Sequence, residues 1–495
     1  MKIKILTITI ISCLALSSCD DFLDVAPENS FSVDNFFKNE NEVTRSVNAA
    51  YVKNRAIHQN LQWRFGENRS DNSSFQYNPD DRGGFLNEQL DEFLMNADNP
   101  SIANYWSEAF DGVTRCTFVL ENIDDVIFSD FALKNQRKGE VYFLRTWYYF
   151  NLVRLYGDIP LPLSTVSNVD GALTSEFTQR VDREVIYDTL FSNIDSAIEF
   201  LPDEWDSENT GRATRGAALM LKAKMHMARQ EYPEAVSALE ELQTIGYSLV
   251  ANYVDVFDPN NKNHSESIFD IQYDFNLGQG SNFVTSFIPY NSGGDLLAFG
   301  QLAQSRAGQN QPTQSLIDLY EDGDDRLEHN IGYYVDENDS IPWMKKYAFE
   351  FLDLGITNVN WPMFRYADAL LMLAESRVRS SQAVDQTAIG TINIIRLRSG
   401  VGPVNPSSVE DLLQIIADER RRELAFENHR WFDLVRTGQA EAVMMAHGDV
   451  QKTEKGILGE GGIIAPEAYT NIRTTLAIPT NQRLQFGYTQ NEEWE

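Results

Sequence analysis

The stretch from Lys134 to Tyr156 constrains this chain most. Val141, Leu144, Arg145, Tyr148, Tyr149, Leu152, Leu155 and Tyr156 recur at helical spacing and make a broad stripe over about six turns. Gly157 stops the pattern, and Pro160 and Pro162 keep the next segment extended. A helix with so wide an apolar face needs several partners, and the chain supplies them. Glu40 to Asn60 carries Val43, Val47, Ala50 and Tyr51 at the same spacing. Ser101 to Val126 does so through Ile102, Tyr105, Trp106, Ala109, Phe110 and Val113. Asp182 to Leu201 and Thr214 to Arg229 read as further helices. So do Phe364 to Arg379, Gln386 to Arg398 and Ser408 to Arg436, the last with a capping box at Ser407-Ser408-Val409-Glu410.

Between about Ile245 and Trp361 the periodicity is lost. Asn, Asp, Gly and Ser dominate, with short alternating runs such as Ile268 to Tyr273 and one short helix expected near Gln314 to Tyr320. Just before it, Glu231 to Leu239 resembles the second helix of a tetratricopeptide repeat, where small Ala residues let two helices approach. The fold class expected is mostly α: tetratricopeptide-like helix pairs from both ends of the chain around a loop-rich, partly β insertion. The scaffold covers about 38–245 and 362–440, and the insertion about 246–361. After Gly438 the tail is Gly-rich, then ordered around Leu476 to Pro479. An irregular stretch this long inside a compact body points to function.

The first residues bear on location. Lys2 and Lys4 precede an apolar run, Ile5 to Leu16, too short to span a bilayer, and Ser17-Ser18 lead to Cys19. This is the layout of a secretory signal peptide over residues 1–18, with the Cys19 thiol as lipid acceptor. The mature chain, 19–495, is expected to be a single domain tethered by that lipid. A formal net charge of −32 argues against nucleic acid and against docking on anionic headgroups. Cys116 stands apart from Cys13 and Cys19, beside Val113, Thr117 and Leu120, as a small core residue.

Taken in order, these segments resemble the SusD/RagB family of Bacteroidetes surface glycan-binding lipoproteins. The resemblance runs through Cys19 to Pro27, Phe36 to Glu40, Asn48 to Tyr51, Leu144 to Pro160 and Arg212 to Thr214. It continues through Arg365 to Glu375, Ile395 to Arg398, Glu419 to Glu427, Arg430 to Arg436, Ile478-Pro479 and Gln490-Asn491. It implies a lipid-anchored protein on the outer face of the outer membrane. It also implies capture of oligosaccharide or polysaccharide and its delivery to a SusC-like TonB-dependent transporter. Asp20 and Asp21 resemble the family's acidic surface-export signal. The charged residues of these motifs, Arg145, Arg154, Arg365, Glu419, Arg420, Glu423, Glu427 and Arg430, are read as structural ion-pair and hydrogen-bond networks.

A sugar site needs aromatic platforms with polar groups at the rim, carried on loops. Asn68 to Arg82 is polar and non-periodic and offers Phe75 and Tyr77; Asp71 and Arg82 fall where the resemblance implies polar sugar contacts. In the insertion, Tyr290 and Trp343 are the expected stacking platforms, whereas Trp361, before Pro362, reads as packing. A neutral glycan such as a β-glucan suits the acidic surface, although Arg82, Lys345 and Lys346 could form a local basic cluster. The six histidines lack metal-ligand spacing, and GxSxG, P-loop and dinucleotide motifs are absent. Asp258 to Asn261 and Asp322 to Asp325 could bind calcium through oxygens, yet neither completes an EF-hand loop. No cofactor is expected. The alternative is a helical glycoside hydrolase using a carboxylate pair.

Overall fold

The computed structural model describes residues 37–495, except 79–84, 167–170, 172, 297–306, 337–338, 350–354 and 458–461. The signal segment, Cys19, Asp20, Asp21 and Arg82 lie outside the described residues. The six longest helices of the first half are α1 (Glu40–Ile57), α2 (Pro100–Asn122), α3 (Phe131–Tyr156), α4 (Arg183–Phe200), α5 (Arg215–Ala228) and α6 (Tyr232–Gln243). Five more follow: α7 (Tyr366–Ser381), α8 (Gln386–Arg398), α9 (Val409–Glu423), α10 (Arg430–Arg436) and α11 (Ala440–Lys455). Each of α1 to α5 packs on the next, and α6 packs on α7, so helices from both ends of the chain form one array.

Local chemistry sets the boundaries. Asn39 caps α1 by accepting from the N–H groups of Asn41 and Glu42; Asn99 followed by Pro100 opens α2, and Asp130 opens α3. Gly157 ends α3 with φ of +71°. The α2–α3 contact needs Gly112, because a Cβ there would stand 2.5 Å from the Tyr148 ring. Cys116, as expected, is buried in the core. In α9 the cap is Ser408, which accepts from Asp411 N–H while Ser407 N–H donates back to Asp411. The cap therefore uses Ser408 and Asp411 in place of the expected Ser407 and Glu410, with the return bond made by Ser407 N–H.

Four expectations about the helices need correction. The first helix passes through a π-turn at His58–Gln62, where the His58 ring stacks on Trp147, and continues to Gly66. The helix expected over Ser408 to Arg436 is two, α9 and α10, broken where Phe426 and Asn428 adopt positive φ. Near Gln314 only Gln314–Ile317 is helical. Helix α11 falls in the tail read as Gly-rich, where no helix was expected.

The strands come in three antiparallel pairs: β1 (Ser73–Ser74) with β3 (Gln311–Pro312), β2 (Ser267–Ile271) with β6 (Trp361–Arg365), and β4 (Ile331–Asp336) with β5 (Asp339–Met344). An interior charge network binds the insertion to the helices. Arg365 Nη1 donates to Glu423 and Glu266 at 2.6 and 2.9 Å, and its Nε to Glu427 at 2.6 Å. Arg326 reaches Asp324, Glu419 and Glu423. Asp324, offered above as a calcium ligand, is thereby committed to a buried ion pair. Arg145 and Arg154 hydrogen-bond to Asn193 and Asn151, and neither meets a carboxylate among the described residues.

Candidate functional site

The two stretches singled out in the sequence meet at Gln76. Pairing of β1 with β3 brings the Ser73–Tyr77 segment beside the insertion, and Gln76 N–H donates to Gly308 O at 2.7 Å. The Gln76 side-chain oxygen accepts from Tyr290 N–H at 3.0 Å, and its amide nitrogen donates to Asn291 Oδ1 at 2.9 Å. Asn291 Nδ2 donates in turn to Asp336 Oδ2 at 2.6 Å, on the β4–β5 hairpin. Tyr334 OH donates to the Asn291 carbonyl and approaches Asp295 at 3.2 Å. Three segments distant in sequence are thus fastened by side-chain amides.

Around this junction Tyr77, Tyr290 and Tyr334 are half-buried, and Tyr333 is 52% exposed on the other side of β4. Planar rings beside fixed amides and carboxylates can meet both the C–H face and the hydroxyls of a sugar. The surface carboxylates Asp295 and Asp336 oppose a polyanion at this place. Sequence reasoning missed Gln76, Asn291, Tyr333, Tyr334 and Asp336. The run Tyr333-Tyr334-Val335 before an acidic turn was the available signal for the hairpin.

Four candidates do other work. Asp71 is buried, its carboxylate held by Arg430 Nε at 2.7 Å, Arg430 Nη2 at 3.0 Å and Arg421 Nη2 at 3.2 Å. Burial alone would raise that carboxyl, but the two guanidinium groups outweigh it and hold it below the usual range. Phe75 is 2% exposed, with the Lys455 ammonium 4.6 Å from its ring centre. Trp343 is 3% exposed and lies across Gly332, where a Cβ would stand 2.6 Å from the indole. Neither ring is a platform, because each already packs inside the protein. Lys346 is buried against Glu427 at 2.5 Å and cannot join a surface basic cluster with Arg82 and Lys345. Trp361 packs in the core, as its position before Pro362 suggests.

Beneath the loops lie acids that burial makes reluctant to ionise. Glu67 is pushed up to about 7 by desolvation, against hydrogen bonds from Asn72, Phe426 N–H and Asn428 N–H. Asp91 rises to about 7 and Glu92 to about 8 for the same first reason. Asp91 accepts from Ser74 and Tyr469, both at 3.0 Å. All three carboxyls are buried and bonded to their own protein, so they do not offer a substrate an acid and base. Among the described residues no group of three or more His, Cys, Asp or Glu could hold a metal ion, and no helix is long and apolar enough to cross a membrane.

Comparison with known proteins agrees with this architecture. A family model described as the SusD family matches residues 327–483, and one described as starch-binding associating with outer membrane matches 21–227. A SusD-like protein of Formosa agariphila is 28% identical over 90% of this chain and 93% of its own. One from Bacteroides ovatus is 23% identical over 88% of this chain and 82% of its own. Among solved structures, a laminarin-binding SusD-like protein superposes with a TM-score of 0.76 at 24% identity, over 92% of this chain and all, 100%, of that one. Surface glycan-binding protein A from Bacteroides thetaiotaomicron, solved with laminarihexaose, gives 0.72 at 20% identity over 92% and 100%.

Proposed function

The chain belongs to the SusD/RagB family, and from that premise we propose that it is a non-catalytic glycan-binding lipoprotein of the outer membrane. Residues 1–18 are its signal peptide, Cys19 carries the lipid, and 19–495 form the mature unit on the extracellular face. It binds oligosaccharide or polysaccharide at the Gln76 junction and passes it to a SusC-like TonB-dependent transporter, without a cofactor. The observation that carries the reading is the fastening of Tyr77, Tyr290 and Tyr334 around the Gln76 and Asn291 amides, with acids at the rim. That set suits a neutral polyol, and two structural relatives named for laminarin or solved with laminarihexaose support a neutral β-glucan.

Calorimetry of the purified mature protein with laminarihexaose and with an alginate oligomer tests this. Binding of the first and not the second is expected. Tyr290→Ala should weaken it by about 1–3 kcal/mol, the size of aromatic stacking on nucleic-acid bases. Failure to bind any neutral glycan would sink the reading. New reducing ends after prolonged incubation would restore the hydrolase alternative. Metabolic labelling with a palmitate analogue, lost in Cys19→Ser, tests the anchor.

A further inference from the structure

Away from the loops, a cavity of about 390 Å³ opens among α3, α4, α5 and α10. No residue of the Gln76 junction lines it. Its walls carry six Lys and Arg side chains, in a protein whose formal net charge is −32. Five of the six contact acids, several of them shared. Lys224 gives its ammonium to Asp368 at 2.6 Å, Arg420 pairs with Asp368 and Asp433, and Arg436 with Asp433 and Glu375. Arg229 holds Glu231 and Glu184, and Arg183 stands 3.6 Å from Glu184.

Arg154 is the exception. Its Nε and Nη2 both donate to the one oxygen of Asn151, at 3.2 and 2.5 Å, and no carboxylate reaches it. Its guanidinium carbon lies 3.5 Å from the centre of the Phe432 ring. One face is therefore covered by an aromatic ring and one edge is occupied by the amide. What remains is the edge formed by Nη1 and the second hydrogen of Nη2. That fork matches a carboxylate through two parallel hydrogen bonds. Burial is unfavourable for a guanidinium, and although the Asp433 carboxylate on the cavity wall opposes it, burial lowers the proton affinity of Arg154 to about 10. An anion seated at the open edge relieves that penalty.

We propose that this cavity is a second binding site, for a small organic monocarboxylate. The carboxylate takes the free edge of Arg154, and the body lies against Val153, Tyr187 and Met227. The volume falls within the range of small-molecule sites. The other cations of the walls contact carboxylates, so Arg154 offers the one fork without a contacting acid, and a single carboxylate fits it.

Benzoate is the probe, with benzamide as its neutral isostere and sodium chloride to match ionic strength. Millimolar benzoate should raise the melting temperature of the wild-type protein and benzamide should not. Arg154→Gln should weaken benzoate binding by calorimetry about tenfold or more, the loss expected for a charged hydrogen-bond pair. Should that variant fold poorly, Met227→Trp fills the cavity and leaves the Arg154–Asn151 pairing in place, and it should abolish the response. Laminarihexaose binding, measured alongside, should be unaltered in either folded variant. The proposal is overturned if the wild type ignores benzoate, if benzamide acts equally, or if a folded variant keeps wild-type benzoate affinity.

Discussion

Arg365 sits 1% exposed among Glu266, just before β2, and Glu423 and Glu427, at and just after the end of α9. Taking ions out of water is unfavourable, so removing one partner strands the others. Arg365→Met should therefore destabilise the protein by about 3–5 kcal/mol in urea unfolding. Lys222→Ala, which removes a partly exposed pair with Asp195, should change stability by less than about 1 kcal/mol. The same contrast explains which site residues could be read in advance. The motif arginines and glutamates announced a network by their density on helices. Asp71 looked like a rim carboxylate because its partner, Arg430, lies 359 positions away. Phe75 and Trp343 looked like platforms because they fall in polar, non-periodic segments, yet Lys455 of α11 lies over Phe75 and Trp343 packs across Gly332 of its own hairpin. Gln76 carried no signal of its own; its importance comes from Gly308, Tyr290 and Asn291, which only the fold brings to it.

Helices with long stripes were legible, since spacing alone decides which face is buried. What spacing could not show was where a helix breaks for the sake of a neighbour. Between α9 and α10 the backbone turns so that Phe426 and Asn428 donate their N–H groups to Glu67, and Gly66 admits Asn428 at close quarters. Helix α11 escaped notice because its buried side is made of Ala440, Met444, His447, Gly448 and Gln451, a weak apolar pattern. Gly112 marks the tightest approach of α2 to α3. Gly112→Ala sets a methyl group against a rigid Tyr148 ring and should cost about 1–3 kcal/mol, seen as a lower melting temperature. An isolated helix would gain from the same change, so a rise in melting temperature would contradict the close contact.

The pH response of the protein follows from groups spread across it. Asp368, Asp433 and Glu423 are held below the usual carboxylate range by cations that outweigh their burial, so their contribution is present above about pH 4 and is lost as pH falls. His58 and His447, lowered by burial to about 4, and His329 and His429, to about 3, stay neutral in the fold while the unfolded chain takes up protons below about 6.5. They too destabilise on acidification. Glu67, Asp91 and Glu92 act in reverse: the fold keeps protons that the unfolded chain has released, so stability falls as pH rises from about 4 to about 8. The melting temperature should be nearly level between about pH 4.5 and 6.5, where the two effects offset, and decline on either side. A melting temperature that rises between about pH 6.5 and 8 would show that Glu67, Asp91 and Glu92 are ionised in the fold. One further property comes from the β2–β6 pair. Ser267 stands opposite Arg365 and Ile271 opposite Trp361, so the chain departs and returns through adjacent strands. Residues 272–360 therefore leave and rejoin the helical body at one stem, and the pairs of Arg326 with Glu419 and Glu423 lock the excursion back onto it.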